Sequence, residues 1–196
     1  MERRYAPLSS HGMDPETGFH LPLLPEPVRV DTEDPALEVM TDFRRVRAIT
    51  VPVSMTMEFA AQRMRSNRVH LLLVTDENNL VLGLVTSTDI EGDKPVRLVH
   101  DRGLRRDEIT VGDIMTPRER LEVIDYDEVT HACVGQVVAT LKAVGRQHAM
   151  VVDRDAHGRQ RVRGLFAASQ LGRQLGTPIQ TVEIARSFAE IETALR

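Results

Sequence analysis

The chain is nearly devoid of cysteine. Cys133 stands alone among 196 residues, which excludes an intrachain disulfide framework and points to a reducing compartment, the cytoplasm. Long hydrophobic runs are also missing: no stretch approaches the roughly eighteen apolar residues of a membrane span, so no membrane partner is expected. Nor is there an excess of positive charge. A net charge of −4 and a pI near 6 leave no global field to attract nucleic acid, which is not expected as a partner. Glu2-Arg3-Arg4 is not followed by an apolar segment with a small-residue cleavage site, so no secretory signal is expected. The seven histidines are dispersed, Cys133 has no evident base partner, and neither an H-E-x-x-H pattern nor a glycine-rich phosphate loop occurs. No catalytic residue and no metal ligand is assigned, and an enzyme or metal protein is the weakest reading.

What is present describes a soluble globular chain: 41% hydrophobic and 28% charged residues suffice for one large domain or two small ones. Residues 1–35 hold six of the ten prolines and read as an irregular arm whose apolar patch, Phe19, Leu21, Leu23 and Leu24, is available for packing. Beyond it, Thr32 or Asp34 can cap a short helix with Pro35 in its first turn and Leu37 and Met40 as apolar positions. Ala48–Val51 reads as a brief strand, and Met57, Ala60, Ala61 and Met64 fall at i, i+3, i+4 and i+7 of a helix. Val69–Thr75 is apolar and β-branched, Asp76-Glu77-Asn78-Asn79 is a turn cluster, and Leu80–Val85 is a second strand, after which Thr86–Asp89 opens another helix.

The same order returns after Thr110, which can cap a helix stopped by Pro117. Val134, Val137, Val138 and Leu141 repeat the first stripe at an offset of 77, and Asp153 follows its strand at the same distance from Asp76. At the closing glycine the offset grows to 81, so the second hairpin is longer by four residues, as a surface loop tolerates. Two such small copies must share a core. Between them, Lys94–Arg106 sets Arg97, Arg102, Arg105 and Arg106 against Asp101 and the flanking Asp93 and Asp107 and reads as a solvated helix face. A last stripe, Ile184, Phe188, Ile191 and Leu195, predicts a C-terminal amphipathic helix over 177–196, packed on its own module or used in dimerisation.

Three sets of residues, in order and twice over, resemble a tandem pair of cystathionine-β-synthase (CBS) domains, the Bateman module, from about residue 36 to 176. They are the opening segments Val39-Met40-Thr41 and Val111–Pro117, the strands Leu72–Asp76 and Ala149–Asp153, and the closing motif Gly83–Asp89. The resemblance implies an α+β fold of two β-α-β-β-α repeats, 36–109 and 110–176, packed about a pseudo-twofold axis. It further implies a stand-alone regulatory module that pairs into a homodimer, binds an adenosine-containing nucleotide (AMP, ADP, ATP or S-adenosylmethionine) and passes a conformational change to an effector protein. A ligand-free scaffold of the same fold is the alternative.

A threonine where a strand turns into a helix offers a hydroxyl and backbone N–H groups to a phosphate, and an aspartate one turn on can accept both hydroxyls of a ribose. In proteins similar to this one the motif binds ribose and phosphate through the positions of Thr86 and Asp89, with Ser87 between them. The same Thr-x-x-Asp spacing is also a helix cap, and both readings hold for an empty site. The second copy has Ala167 and Gln170 at these positions, so a weak or absent second site is expected. By the same resemblance the cleft of Thr86 and Asp89 is completed by Leu121, Glu122 and Val123 and by Gln147, His148 and Ala149. Arg68, His70, Arg146 and His148 precede the two apolar strands and are candidates for phosphate contacts, His70 foremost.

Overall fold

A computed structural model describes residues 28–181. The apolar patch of the arm and the C-terminal stripe from Ile184 lie outside the described residues.

Two four-stranded sheets form the frame. One has the order β2 (Thr50–Val51), β3 (Leu71–Thr75), β4 (Val81–Thr86), β5 (Thr116–Pro117); the other has β1 (Thr41–Asp42), β8 (Gln160–Ala167), β7 (His148–Arg154), β6 (Val123–Asp125). β3 and β7 are central because their runs of Leu and Val suit strands covered on both faces. Each pairs in parallel with the short strand before its helix and antiparallel with the strand after its hairpin.

The two repeats exchange their opening segments. β1, from the start of the chain, closes the second sheet against β8, whereas β5, from the middle, closes the first against β4. The hydrophobic cores follow this exchange. Val30, Ala36 and Val39 pack with Val134, Val137, Leu141, Val151 and Phe166; Ile109, Val111 and Ile114 pack with Met57, Met64, Leu72 and Val85. A third cluster, Leu71, Leu73, Leu84, Met150 and Leu165, lies between the sheets and joins the repeats. Chain boundaries near 109 therefore do not coincide with core boundaries.

Seven α-helices cover the frame among the described residues: α1 (Met57–Asn67), α2 (Ser87–Glu91), α3 (Asp93–Arg102), α4 (Val111–Ile114), α5 (Tyr126–His131), α6 (Val134–Val144) and α7 (Ala168–Leu175). In α1 the expected stripe is buried at Met57, Ala60 and Met64, with Thr56 capping the helix through the Phe59 N–H. In α6 it is buried at Val134, Val137 and Leu141, and Gly145, at φ 69°, takes the left-handed turn that ends the helix.

The first expected helix is instead one 3-10 turn, Ala36–Val39, without a side-chain cap. Ala36 and Val39 are buried and Leu37 is exposed, because that turn presents positions three apart to the core. Asp34 accepts a hydrogen bond from its own neighbour Asp31, at 2.7 Å, and caps nothing in that turn through its side chain. The described end of the arm, residues 28–35, contains no helix or strand but is packed on the second repeat: Val30 is buried, and the carbonyls of Thr32 and Asp34 accept the first N–H groups of α6, from Gly135 at 2.8 Å and Val134 at 2.9 Å. These contacts satisfy helix-end donors that would otherwise be unpaired.

The glycine of the closing motif has a packing role. A Cβ built on Gly83 would run into the Thr116 carbonyl, and one on Gly164 into the Thr41 carbonyl. In both copies the exchanged strand lies against the glycine, which only a residue lacking a side chain allows.

Candidate functional site

Two clefts open between the sheets. The smaller, of about 90 Å³, is lined by Leu84, Thr86, Asp89, Thr116, Leu121, Glu122, Arg146, Gln147, His148 and Met150. Six of the residues expected there meet in it: Thr86, Asp89, Leu121, Glu122, Gln147 and His148. Val123 and Ala149 do not line it. Strand side chains alternate between faces, so with His148 and Met150 facing the cleft, Ala149 turns to the core of its own repeat, and Val123 is exposed beside Met150 on the sheet edge. Ser87 is also outside the lining, and its N–H is taken by the His70 carbonyl at 3.0 Å.

Thr86 and Asp89 are turned toward each other. Asp89 Oδ2 accepts from the Thr86 N–H and from its hydroxyl, each at 2.8 Å, while Thr86 Oγ1 accepts from the Asp89 N–H at 3.2 Å. Asp89 Oδ1 is held by Lys94 Nζ, which also donates to the Ile114 carbonyl at 2.9 Å. The helix-capping reading of the motif is thus realised in full, and every side-chain oxygen of the pair is engaged. Across the cleft, Gln147 Nε2 reaches Thr88 Oγ1 at 3.5 Å, a long tie between the repeats. Glu122 points outward, with its side chain 72% exposed, toward Arg146 at 4.0 Å.

Burial lowers the pKa of His148 to about 4, with His70 acting in the same direction and Asp89 opposing. The imidazole is therefore neutral at neutral pH.

The larger cleft, of about 290 Å³, belongs to the second closing motif. Arg68 and His70 line this cleft, not that of Thr86, because the residues preceding β3 abut the closing motif of the opposite repeat, just as Gln147 and His148 abut the first. Its walls are Val46, Ile49, Leu71, Leu73, Leu165 and Ala167, and its rim carries Arg47, Arg68, Arg173 and His70; among the described residues no carboxylate lines it. None of the ion pairs among the described residues involves those three arginines. Gln170 is tied to Thr41 Oγ1 at 3.1 Å, so it anchors the exchanged strand. His148 lines both clefts.

Several lining residues escape a motif-based reading. Leu84 and Met150 carry a usable signal, since each lies two positions along its strand from Thr86 or His148 and so shares its face. Thr116, Arg47 and Arg173 carry none, because strand exchange and inter-repeat packing bring them in. Among the described residues no helix is long and apolar enough to cross a membrane, and no group of three or more His, Cys, Asp or Glu side chains is placed to hold a metal.

Comparison with known proteins bears on the fold. Residues 38–91 match the CBS-domain family. Over 47 residues, 24% of this chain, the sequence is 45% identical to the CBS domain-containing protein CBSCBSPB1 of Arabidopsis thaliana, and the matched stretch spans 9% of that protein. An uncharacterized conserved protein of Pyrococcus horikoshii superposes with a TM-score of 0.52 at 24% identity, covering 72% of this chain and 92% of its own. A CBS-domain containing protein of Agrobacterium tumefaciens superposes at 0.50 with 18% identity, covering 69% and 93%. These two structures share the fold.

Proposed function

We propose that this chain, whose residues 38–91 match the CBS-domain family, is a regulatory module whose inter-repeat space binds a phosphate-bearing adenosine compound and passes a change in repeat geometry to a partner protein. The observation that carries this reading is the larger cleft. Small-molecule sites are mostly apolar with a few polar anchors and range upward from about 300 Å³. A cavity of about 290 Å³ with aliphatic walls and three arginines on its rim meets that description. Leu71, Leu73 and Leu165 offer flat apolar surface to a purine, and guanidinium groups bind phosphate oxygens bidentately. This moves the main site from the motif-bearing cleft to its counterpart. Pairing of two copies into a homodimer belongs to the same reading.

Thermal unfolding with AMP, ADP and ATP, and with S-adenosylmethionine as the phosphate-free comparison, tests it. A binder at a hundredfold excess over Kd gains about 2.7 kcal/mol of stability. Arg173→Glu, in an exposed rim position, is expected to remove the gain while leaving the unliganded midpoint unchanged. A ligand-free scaffold is the second reading, favoured by the internal satisfaction of Thr86 and Asp89. No midpoint shift with any of the four compounds decides for the scaffold.

A further inference from the structure

We infer that the groove between α5 and α6 is the docking surface for the partner protein, which enters it with a basic, apolar-faced helix. The inference rests on the reading of this chain as a regulatory module with a protein partner, and it concerns a surface apart from both inter-repeat clefts. It starts from a difference between the two copies. In the first, the chain runs from Thr50 in β2 to Met57 at the start of α1; the matching run in the second, Val123 to Val134, is longer by four residues. The second run contains α5, whereas residues 52–56 of the first contain no helix.

Between α5 and α6 lies a groove of about 600 Å³, larger than either cleft. Its floor is apolar, made by Ile124, Val129, Val137 and Phe166. Gln136 and Thr140, one turn apart on α6, form one wall, and Asp127, Glu128 and His131 of α5 form the other. Asp127, Glu128, His131 and Gln136 are all exposed, so the rim is open to water. An open trough over core side chains suits a segment of another protein better than a small molecule, whose sites enclose most of the ligand.

Charge identifies the occupant. Asp127 and Glu128 take part in none of the ion pairs among the described residues. Acids in the first turn also suit the positive end of α5, but no lysine or arginine lines the groove among the described residues, so its rim stays negative. His131 is tied through Nδ1 to the Asp127 carbonyl at 2.9 Å. The complement is an apolar stripe at helical spacing with lysine or arginine beside it: the stripe covers the floor and the cations meet the two carboxylates. A second copy of this chain is a poor match, since its net charge is −4.

Position links the groove to the smaller cleft. Leu121 and Glu122 line that cleft, the three-residue strand β6 follows them and supplies Ile124 to the floor of the groove, and α5 begins directly after it. A shift of the crossing therefore reaches the wall that carries both acids through one short strand.

Fluorescence anisotropy on the full chain tests the inference, with a labelled amphipathic peptide of leucine and lysine as the probe and its leucine–glutamate counterpart beside it. The wild type is expected to bind the lysine peptide and not the glutamate one. Asp127→Lys with Glu128→Lys is expected to weaken binding about tenfold, the scale of two exposed charge pairs reversed. Glu58→Lys with Glu77→Lys, the same charge change at exposed positions of the first repeat, is expected to leave it within about twofold at physiological salt. Gln136→Trp, which fills the trough and keeps both acids, is expected to weaken it too. Failure of the wild type to bind the lysine peptide, equal binding of the glutamate peptide, or equal affinity of the Asp127→Lys, Glu128→Lys protein overturns the docking surface. A change of assembly state in that protein, seen by sedimentation, makes the groove a contact between copies and overturns it as well. The midpoint shift with AMP is read on the same proteins: its absence throughout overturns the ligand reading alone, and its survival where peptide binding is lost separates the two surfaces.

Discussion

Alanine at Gly83 is a direct test of what the closing motif's glycine does. The added methyl would meet the Thr116 carbonyl oxygen, with the Thr116 carbonyl carbon and Pro117 Cα each at 3.2 Å. All three are backbone atoms, so no side chain can swing aside, and β5 must move off β4. Overpacking of this kind costs about 1–3 kcal/mol. Weakening the Gly83↔Pro117 and Leu84↔Thr116 pairings adds roughly 1 kcal/mol for each hydrogen bond lost. The expected loss is therefore about 3 kcal/mol. Gly164→Ala should lose a similar amount, because the Thr41 carbonyl occupies the equivalent place. Gly158 provides the control: it has φ +74° but nothing within 4 Å of where a methyl would stand, so alanine there costs only the left-handed backbone, about 1–2 kcal/mol. Urea unfolding followed by circular dichroism measures all three. If Gly83→Ala unfolds within about 1 kcal/mol of the wild type, the strand-packing role is wrong. A variant of normal stability that had lost AMP binding would return the glycine to the ligand.

Two further predictions concern acid. Asp42 is held at a pKa of about 2, below the ordinary 3.8, chiefly by hydrogen bonds from Arg163, which grips both its oxygens at 2.9 and 3.0 Å. Its contribution is complete above about pH 4 and is lost as pH falls toward 2. The shift corresponds to roughly 2 kcal/mol, and water at the sheet edge reduces the expected effect to about 1 kcal/mol. Asp42→Asn should flatten that limb of the stability curve; an unchanged limb would show that the pair adds nothing. His148, held at about 4 by burial, acts in a higher window: the fold favours the neutral ring, so stability is full above about pH 6.5 and declines toward pH 4. His148→Gln should remove the decline between these values in thermal melts, and its persistence would exclude this histidine as the cause.

The repeated units are legible because hydrophobic period and turn chemistry are local. The α1 stripe of Met57, Ala60 and Met64 and its α6 counterpart need only 3.6-residue spacing, and Asp76–Asn79 carries its turn in its own residues. The closing motif is legible as a cap for the same reason: Thr86 and Asp89 are three residues apart and satisfy one another. What escapes is non-local. Nothing in Thr41-Asp42 or Thr116-Pro117 states which sheet each will close, since two-residue strands have almost no preference of their own. Packing of the two repeats against each other, also non-local, sets Arg68 and His70 against the closing motif of the second repeat and so in the opposite cleft from Thr86. Grouping Gln147, His148 and Ala149 in one cleft also overlooks the period-two alternation that sends Ala149 into the core.

In the proposed function, the exchange of opening segments supplies the route by which occupancy of a cleft would reach a partner. After β1 the chain crosses from the second sheet to β2 in the first, and after β5 it crosses back to β6. Phe43, Val46, Arg47 and Ile49 on the first crossing line the larger cleft, and Leu121 and Glu122 on the second line the smaller. The segments that would touch a ligand are thus the covalent links between the sheets. Thr41 and Thr116, at the ends of those links, pack their carbonyls against Gly164 and Gly83 with no room to spare. A displacement of either crossing must then be taken up by sliding of the exchanged strand or by rotation of one sheet against the other about the shared cluster of Leu71, Leu73, Leu84, Met150 and Leu165. Under the proposed function, the chain path itself would couple the cleft to repeat geometry, whichever compound occupied it.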